Sequence, residues 1–263
     1  MLYDDQAATF DERAGIPAQA AEAVADVLAS ITGVDAGGAL LDVGAGTGSL
    51  SLPLARTAAR YVGFDRSPAM LEVFRARLAG AGLHGELHVA DGNGRWPADD
   101  GSVDVVFCAR ALHHLDADHV APETRRVLRA PGGWLSVGRV HRPPDSPKSE
   151  MRREMRRLLA AHGYAGRSAD AGAEAVFAAL ERLGGRRVEP RTAARWTVLH
   201  RPADSIAAWE GKRGLAGIDV ADEVKARVLA DLREWAAERF GGLDVALSQE
   251  ESFELAAMSV PAA

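Results

Sequence analysis

The stretch Ala39-Leu40-Leu41-Asp42-Val43-Gly44-Ala45-Gly46-Thr47-Gly48 constrains the fold of this chain more than any other. A short apolar run stopped by glycines at alternate positions is what a strand buried on both faces needs when the chain turns sharply at its end. Glycine reaches backbone angles that other residues avoid, so such a turn brings bare backbone against whatever lies above it. A dinucleotide fingerprint would put its third glycine where Ser49 stands, and would deliver a helix N-terminus to a pyrophosphate. The one-residue difference counts against that class.

Around this turn the chain alternates. Residues 17–32 have helical spacing and end at Gly33, and the strand Ala39–Val43 comes next. The spacing then predicts helix 49–59, strand 61–64, helix 68–79, strand 86–90, strand 103–108, helix 117–128 and strand 134–140. Ser67 caps and Pro68 opens the second of these helices. Five strands separated by helices imply an α/β fold with a parallel, doubly wound sheet, whose ligand lies across the carboxyl ends of the strands. Beyond Pro143 the texture becomes helix-rich, with helices expected over 148–161, 172–183, 203–213 and 221–239 and strands over 187–199 and 252–259.

Three acids at three strand ends, Asp42, Asp65 and Asp91, stand where such a ligand would meet them. Asp65 closes the second strand, 23 residues after Asp42, where a carboxylate can accept hydrogen bonds from both hydroxyls of a ribose. Its charge also repels a 2′-phosphate, despite neighbouring Arg66. Asp91 closes the third strand and can accept a hydrogen bond from the exocyclic amine of adenine. Taken singly, each acid reads as a helix cap or a solvated loop residue; in order and in register they form a constellation.

These residues resemble the class I S-adenosylmethionine-dependent methyltransferases, in particular the branch with the ubiquinone and menaquinone methylases and many natural-product enzymes. Asp42 to Gly48 is similar to the family's first motif, Tyr61 to Leu71 to its second and Ala90-Asp91-Gly92 to its third. Asp104 to Leu115 resembles the fourth, and Arg126 to Val137 the Pro-Gly-Gly turn into the fifth strand. The resemblance covers about residues 38–140. It implies a Rossmann-like class I methyltransferase fold: a mostly parallel, seven-stranded sheet with the last strand antiparallel and a helical lid inserted after strand five. It implies S-adenosyl-L-methionine as cofactor, held by Asp42, Gly44, Ala45, Gly46, Gly48, Asp65, Arg66, Asp91, Gly92 and the backbone near Ala109. A phosphate-free cofactor agrees with the tighter glycine turn. Tyr3 to Arg13, with Phe10, is similar to the family's cap segment. Arg110 departs from the small polar residue often found there, and its role stays open between cofactor contact and substrate anion.

The expected organisation is one domain over 1–263, with cap helices in 1–37, the cofactor core in 38–142, a lid and substrate region in 143–215 and a last helix and strand in 216–263. The expected function is methyl transfer to oxygen, nitrogen or carbon of a small molecule, with secondary metabolism as one setting. The competing readings are an NAD(P)-dependent oxidoreductase and a non-catalytic S-adenosylmethionine-binding protein. Because the sulfonium already activates the methyl group, few side chains are obligatory, but a hydroxyl acceptor profits from a base. His114 and His141 follow the fourth and fifth strands and are the candidates, with His113 beside the first. The alternative is that the histidine pair merely caps or packs a helix start.

Other features narrow the class. The charge is −6, from 37 acidic against 31 basic residues, so no global positive field draws nucleic acid or an anionic membrane. The Asn- or Asp-Pro-Pro signature of nucleic-acid amino-methyltransferases is absent after strand four; Pro143-Pro144 follows the wrong strand. Arg152, Arg153, Arg156 and Arg157 form a basic helix, read as a solvated face beside Glu150 and Glu154 rather than a site for an acidic substrate or RNA. Cys108 is the only cysteine and reads as a packed strand residue, and no cluster has metal-ligand spacing. Asp4 and Asp5 stand where a secretion signal would be positive, so a reducing, cytoplasmic setting is expected.

Overall fold

The structure is a computed structural model, and it describes residues 16–33, 38–165 and 171–263. Phe10, Arg13 and the rest of the expected cap segment lie outside the described residues. The order of elements is α1 (Ala18–Thr32), β1 (Ala39–Val43), α2 (Leu52–Thr57), β2 (Arg60–Asp65), α3 (Pro68–Gly80), β3 (Glu86–Val89) and β4 (Val105–Ala109). Next come a 3₁₀ turn (Leu112–His114), α4 (Ala117–Val127), β5 (Gly132–His141), α5 (Pro147–Ala161) and α6 (Ala171–Arg182). The chain ends with β6 (Arg186–His200), α7 (Pro202–Glu210), α8 (Asp222–Phe240) and β7 (Leu247–Pro261).

These strands form one seven-stranded sheet in the order β3-β2-β1-β4-β5-β7-β6. β1 pairs in parallel with β2 and β4, β2 with β3, and β4 with β5. Gly132 packs against Val260 and Gly138 against Phe253, so β7 runs antiparallel to β5. The Rossmann-like α/β fold expected from the sequence, with its last strand antiparallel, is the observed one. All five residues of β1 are buried, because a central parallel strand is covered on both faces.

Two compact units emerge from the contacts. The first takes residues 16–33, 38–139, 171–194 and Phe253–Ala263. Its core includes Leu41 and Val43 of β1, Phe64 of β2, Val106 and Cys108 of β4, Leu135 of β5, and Phe177 and Leu180 of α6. The second takes residues 140–165 and Arg195–Ser252. There Met151, Met155 and Leu159 of α5 pack with Ile206 and Trp209 of α7 and with Val228, Leu229 and Leu232 of α8.

Local rules account for the element ends. Gly33 stops α1 at φ 65°, donating its N–H to Ala29 O, a left-handed conformation that glycine adopts without a Cβ penalty. Ser67 caps α3, its side chain accepting from the Met70 amide, with Pro68 in the first turn. Two expectations were off. α2 starts at Leu52 rather than 49, since the residues after Gly48 continue as turns until Pro53 sets the first helical turn. β7 spans Leu247–Pro261, far longer than the expected 252–259. Among the described residues no helix is long and apolar enough to cross a membrane.

Candidate active site

The register of the parallel strands brings the expected site residues together before any side chain is considered. Val43 pairs with Phe64, so Gly44 leaves β1 beside Asp65, the last residue of β2. Asp65 in turn pairs with Val89, two residues before Asp91, and its carbonyl accepts from the Ala90 amide at 3.1 Å. The site is therefore built by the tips of four neighbouring strands, β3, β2, β1 and β4.

The glycine turn is left-handed at each glycine, with φ 78° at Gly44, 57° at Gly46 and 77° at Gly48. The three differ in what surrounds them. A Cβ on Gly44 would lie 2.5 Å from Ala111 Cβ, and one on Gly48 would lie 2.1 Å from the Phe74 ring. A Cβ on Gly46 would meet nothing nearer than the Gly44 carbonyl at 3.9 Å. Gly44 and Gly48 thus fit the turn to its own protein, whereas Gly46 presents backbone to open space.

The turn's amides are directed inward. Gly44 and Ala45 both donate to Phe64 O, at 2.9 and 3.0 Å, and Gly48 donates to Ala45 O at 3.1 Å. The Gly46 amide donates to Asp65 Oδ2 at 3.1 Å. A phosphate cradle needs such donors aimed outward. With four of them turned into the chain, the residues fit a phosphate-free nucleoside such as S-adenosylmethionine and not a pyrophosphate.

Asp65 carries the geometry that such a ligand requires. Its other oxygen, Oδ1, accepts from the Ser67 amide at 2.9 Å. The two oxygens together have about four acceptor sites, more than the backbone amides of Gly46, Ser67 and Arg66 take, so capacity remains for a ligand hydroxyl. Burial raises the carboxyl pKa above its ordinary value, against the lowering by the backbone amides of Ser67, Gly46 and Arg66 and by the Arg66 charge.

Asp42 lies elsewhere than the expectation put it. It is 1% exposed, and its Oδ2 accepts from Ser51 Oγ and from Tyr61 Oη at 2.6 Å. Desolvation pushes its pKa up to about 6. Asp42 therefore supports the turn from beneath and presents no surface to a ligand. Nothing in the sequence marks Ser51 or Tyr61 as a partner of Asp42, since a buried hydroxyl partner has no local signature.

The third tip is exposed and well tied. Asp91 Oδ1 accepts from the Asn93 amide at 3.0 Å, leaving the rest of the carboxylate to solvent. Asn93 bridges to the next tip: its Nδ2 donates to His114 O at 3.3 Å and its Oδ1 accepts from the Asp116 amide at 2.8 Å. Trp96, 2% exposed, donates from Nε1 to Gly92 O at 2.9 Å, and its amide donates to Glu123 Oε2 at 2.8 Å. Glu123 is paired with Arg126 at 2.7 Å. Leu115 closes on Gly92, where a Cβ would fall 2.6 Å from its side chain.

At the fourth tip Ala109 pairs with Gly138, and Arg110 comes next with φ 60°. A non-glycine residue in that region carries strain, a feature that gathers at functional sites. His113 and His114 then stack with ring centroids 3.9 Å apart. Burial and the neighbouring His114 push the His113 imidazole down to about 4, and burial followed by the Arg66 charge lowers that of His114. That coupling brings Arg66 and His114 together at the strand tips, with both imidazoles neutral near pH 7. Gly172 of α6 lies against this turn, so that a Cβ there would be 3.2 Å from Leu112 O. His141 is the last residue of β5. Cys108 is buried, and burial pushes its thiol up to about 12, which removes it as a nucleophile.

Comparison with known proteins agrees with this geometry. Residues 40–133 match a family described as a methyltransferase domain. An uncharacterized methyltransferase of Mycobacterium tuberculosis is 41% identical over 102 residues, covering 37% of this chain and 38% of the relative. A demethylmenaquinone methyltransferase of Tropheryma whipplei is 38% identical over 114 residues, covering 42% and 45%. The chain thus spans less than half the length of these curated relatives. Among solved structures, the cyclase SpnF superposes over 93% of this chain and 82% of its own, with a TM-score of 0.54 and 20% identity. Geranyl diphosphate C-methyltransferase of Streptomyces coelicolor covers 90% and 78%, with a TM-score of 0.51 and 16% identity. The structures share the fold; the matched segment carries the resemblance read in the motifs.

Proposed function

We propose that this chain, whose residues 40–133 carry a class I S-adenosylmethionine-dependent methyltransferase domain, transfers a methyl group to a small-molecule acceptor. The observation that carries the reading is the open face of Gly46 beside the Asp65 carboxylate, whose oxygens keep acceptor sites beyond those the backbone amides take. The ribose hydroxyls of the cofactor would take those sites. Asp91, at the adjacent tip, would accept from the adenine amine, and Gly92 and Ala109 would line the nucleoside. Arg66 would lie alongside.

S-adenosylmethionine brings a methyl group already activated by its sulfonium. The protein's task is then to hold the acceptor in line and exclude water. His114, neutral and at the tip of β4, is placed in the role of base for a hydroxyl acceptor, with His113 stacked against it. His141 is the second candidate base. Acceptor selection is assigned to 143–215, where the alternation of strand and helix ends.

The test is calorimetry with S-adenosylhomocysteine on the wild type and on Asp65→Ala. Binding by the wild type and its loss in the variant is the expected result; unchanged affinity in Asp65→Ala would overturn the site. Turnover of labelled S-adenosylmethionine against a metabolite extract then separates an enzyme from a non-catalytic binder.

A further inference from the structure

The 3₁₀ turn that carries His113 and His114 runs into α4 through a junction spanned by one side chain from another loop. Inside the turn the His114 amide donates to Ala111 O at 3.0 Å and the Leu115 amide to Leu112 O at 3.1 Å. A short helical segment leaves its last carbonyls, and the next helix its first amides, to partners from elsewhere. Asp116 caps α4 with its side chain, which accepts from the Asp118 amide at 3.0 Å. The His114 carbonyl and the Asp116 amide, two residues apart, are both met by Asn93 of the loop after β3.

The chemistry of Asn93 suits that span. A carboxamide holds a donor and an acceptor in one plane, so Nδ2 can serve the carbonyl, at 3.3 Å, while Oδ1 serves the amide, at 2.8 Å. On its other side Asn93 is tied to the adenine-side acid, its own amide donating to Asp91 Oδ1 at 3.0 Å. The rest of the loop is anchored independently of these contacts. The Gly94 amide donates to Asp91 O at 2.9 Å, and Gly94 O accepts from His119 Nε2 of α4 at 2.8 Å, which requires the proton on that nitrogen. Trp96 donates from Nε1 to Gly92 O and from its amide to Glu123. Removing the Asn93 side chain therefore cuts the bridge to the His114 turn and leaves the loop its other anchors.

We infer that Asn93 is a positioning residue, coupling the Asp91 carboxylate to the His114 turn so that an adenine amine on Asp91 also holds the turn and its imidazole in place. The identity of the ligand and the role of the imidazole rest on the methyl-transfer reading. The route runs from Asp91 Oδ1 to the Asn93 amide, and from the Asn93 side chain to His114 O and the Asp116 amide. Coupling between two sites is reciprocal, so a turn held in place favours the ligand by as much as the ligand favours the turn. Loss of the Asn93 side chain is then felt in ligand affinity, although that side chain is engaged with the protein.

Hydrogen exchange and calorimetry on the full chain, with S-adenosylhomocysteine as the probe, test this role. In the wild type the ligand should slow exchange of the Asp116 amide. Asn93→Ala should still bind S-adenosylhomocysteine, about three- to tenfold more weakly, and the ligand should no longer slow that amide. Asn93→Asp keeps an acceptor for the Asp116 amide and should restore its protection by the ligand, which a merely disturbed loop would not do. Asn93→Ala and Asp91→Ala should combine less than additively in affinity, because they cut the same route. Asn93→Ala and Asp65→Asn, at different tips, should add within about twofold. Arg95→Gln, on the same loop with its ion pair to the exposed Asp100, should change none of these readings. Equal protection of the Asp116 amide in Asn93→Ala, additive losses with Asp91→Ala, or the same losses in Arg95→Gln would overturn the positioning role. Such results, with S-adenosylhomocysteine still bound by the wild type, leave the methyl-transfer reading standing; no binding by the wild type would overturn both.

Discussion

The Gly46 amide donates to Asp65 Oδ2 at 3.1 Å, which ties the acid at the end of β2 to the turn at the end of β1. One contact thus sets the position of the carboxylate and the shape of the exposed backbone together. Replacing Asp65 with Asn should therefore weaken S-adenosylhomocysteine binding and loosen the turn. In the wild type, affinity should fall as pH drops through the raised carboxyl pKa, because the protonated acid has lost an acceptor site. Calorimetry across the acid range checks this; a flat affinity would separate Asp65 from the ligand.

The three glycines should respond differently. Gly46→Ala pays about 1–2 kcal/mol for its left-handed backbone and meets no neighbour, so it should fold and lose ligand affinity. Gly48→Ala adds a collision with Phe74, about 1–3 kcal/mol more, and should chiefly lower the melting temperature. Melting curves with and without S-adenosylhomocysteine distinguish the two.

Asp42 makes stability depend on pH. Its folded pKa is raised from 3.8 to about 6, so the folded state holds the proton over that interval while the unfolded state releases it. The linked stabilisation is present below the unfolded value and is lost as pH rises through about 6, by about 3 kcal/mol at most. Urea melts from pH 4 to 7 should show this slope, and Asp42→Asn should flatten it.

If His114 is the base, His114→Gln should lower kcat by about 10²–10⁴-fold and leave S-adenosylhomocysteine affinity intact. The rate of the wild type should lack a limb at the ordinary histidine pKa, since His114 titrates below it and His113 at about 4. A pH–rate profile with a limb near 6.5 would contradict this assignment.

Glu123→Ala should destabilise the chain by about 2 kcal/mol, since it removes one of Arg126's two carboxylate partners and leaves the buried Trp96 amide without an acceptor. Its effect on the loop after β3 should appear as faster hydrogen exchange at Gly92 to Trp96.

The sheet was legible from the chain because its strands are short, apolar and punctuated by glycine, and because each parallel strand ends at a residue with chemistry. The tips at Gly46, Asp65 and Asp91 could be read for that reason. What escaped was long-range pairing. Nothing near Asp42 in sequence announces that Ser51 and Tyr61 satisfy it, so an inward acid looked like an outward one.

All four tips of the candidate donor site come from the chain before Leu115, and the match to the methyltransferase domain covers residues 40–133. The residues proposed to hold the methyl donor are thus contiguous in sequence, and the tips that carry them do not draw on the latter half of the chain. Chains of this architecture can acquire new acceptors by rewriting their latter half, as a tool handle accepts interchangeable heads.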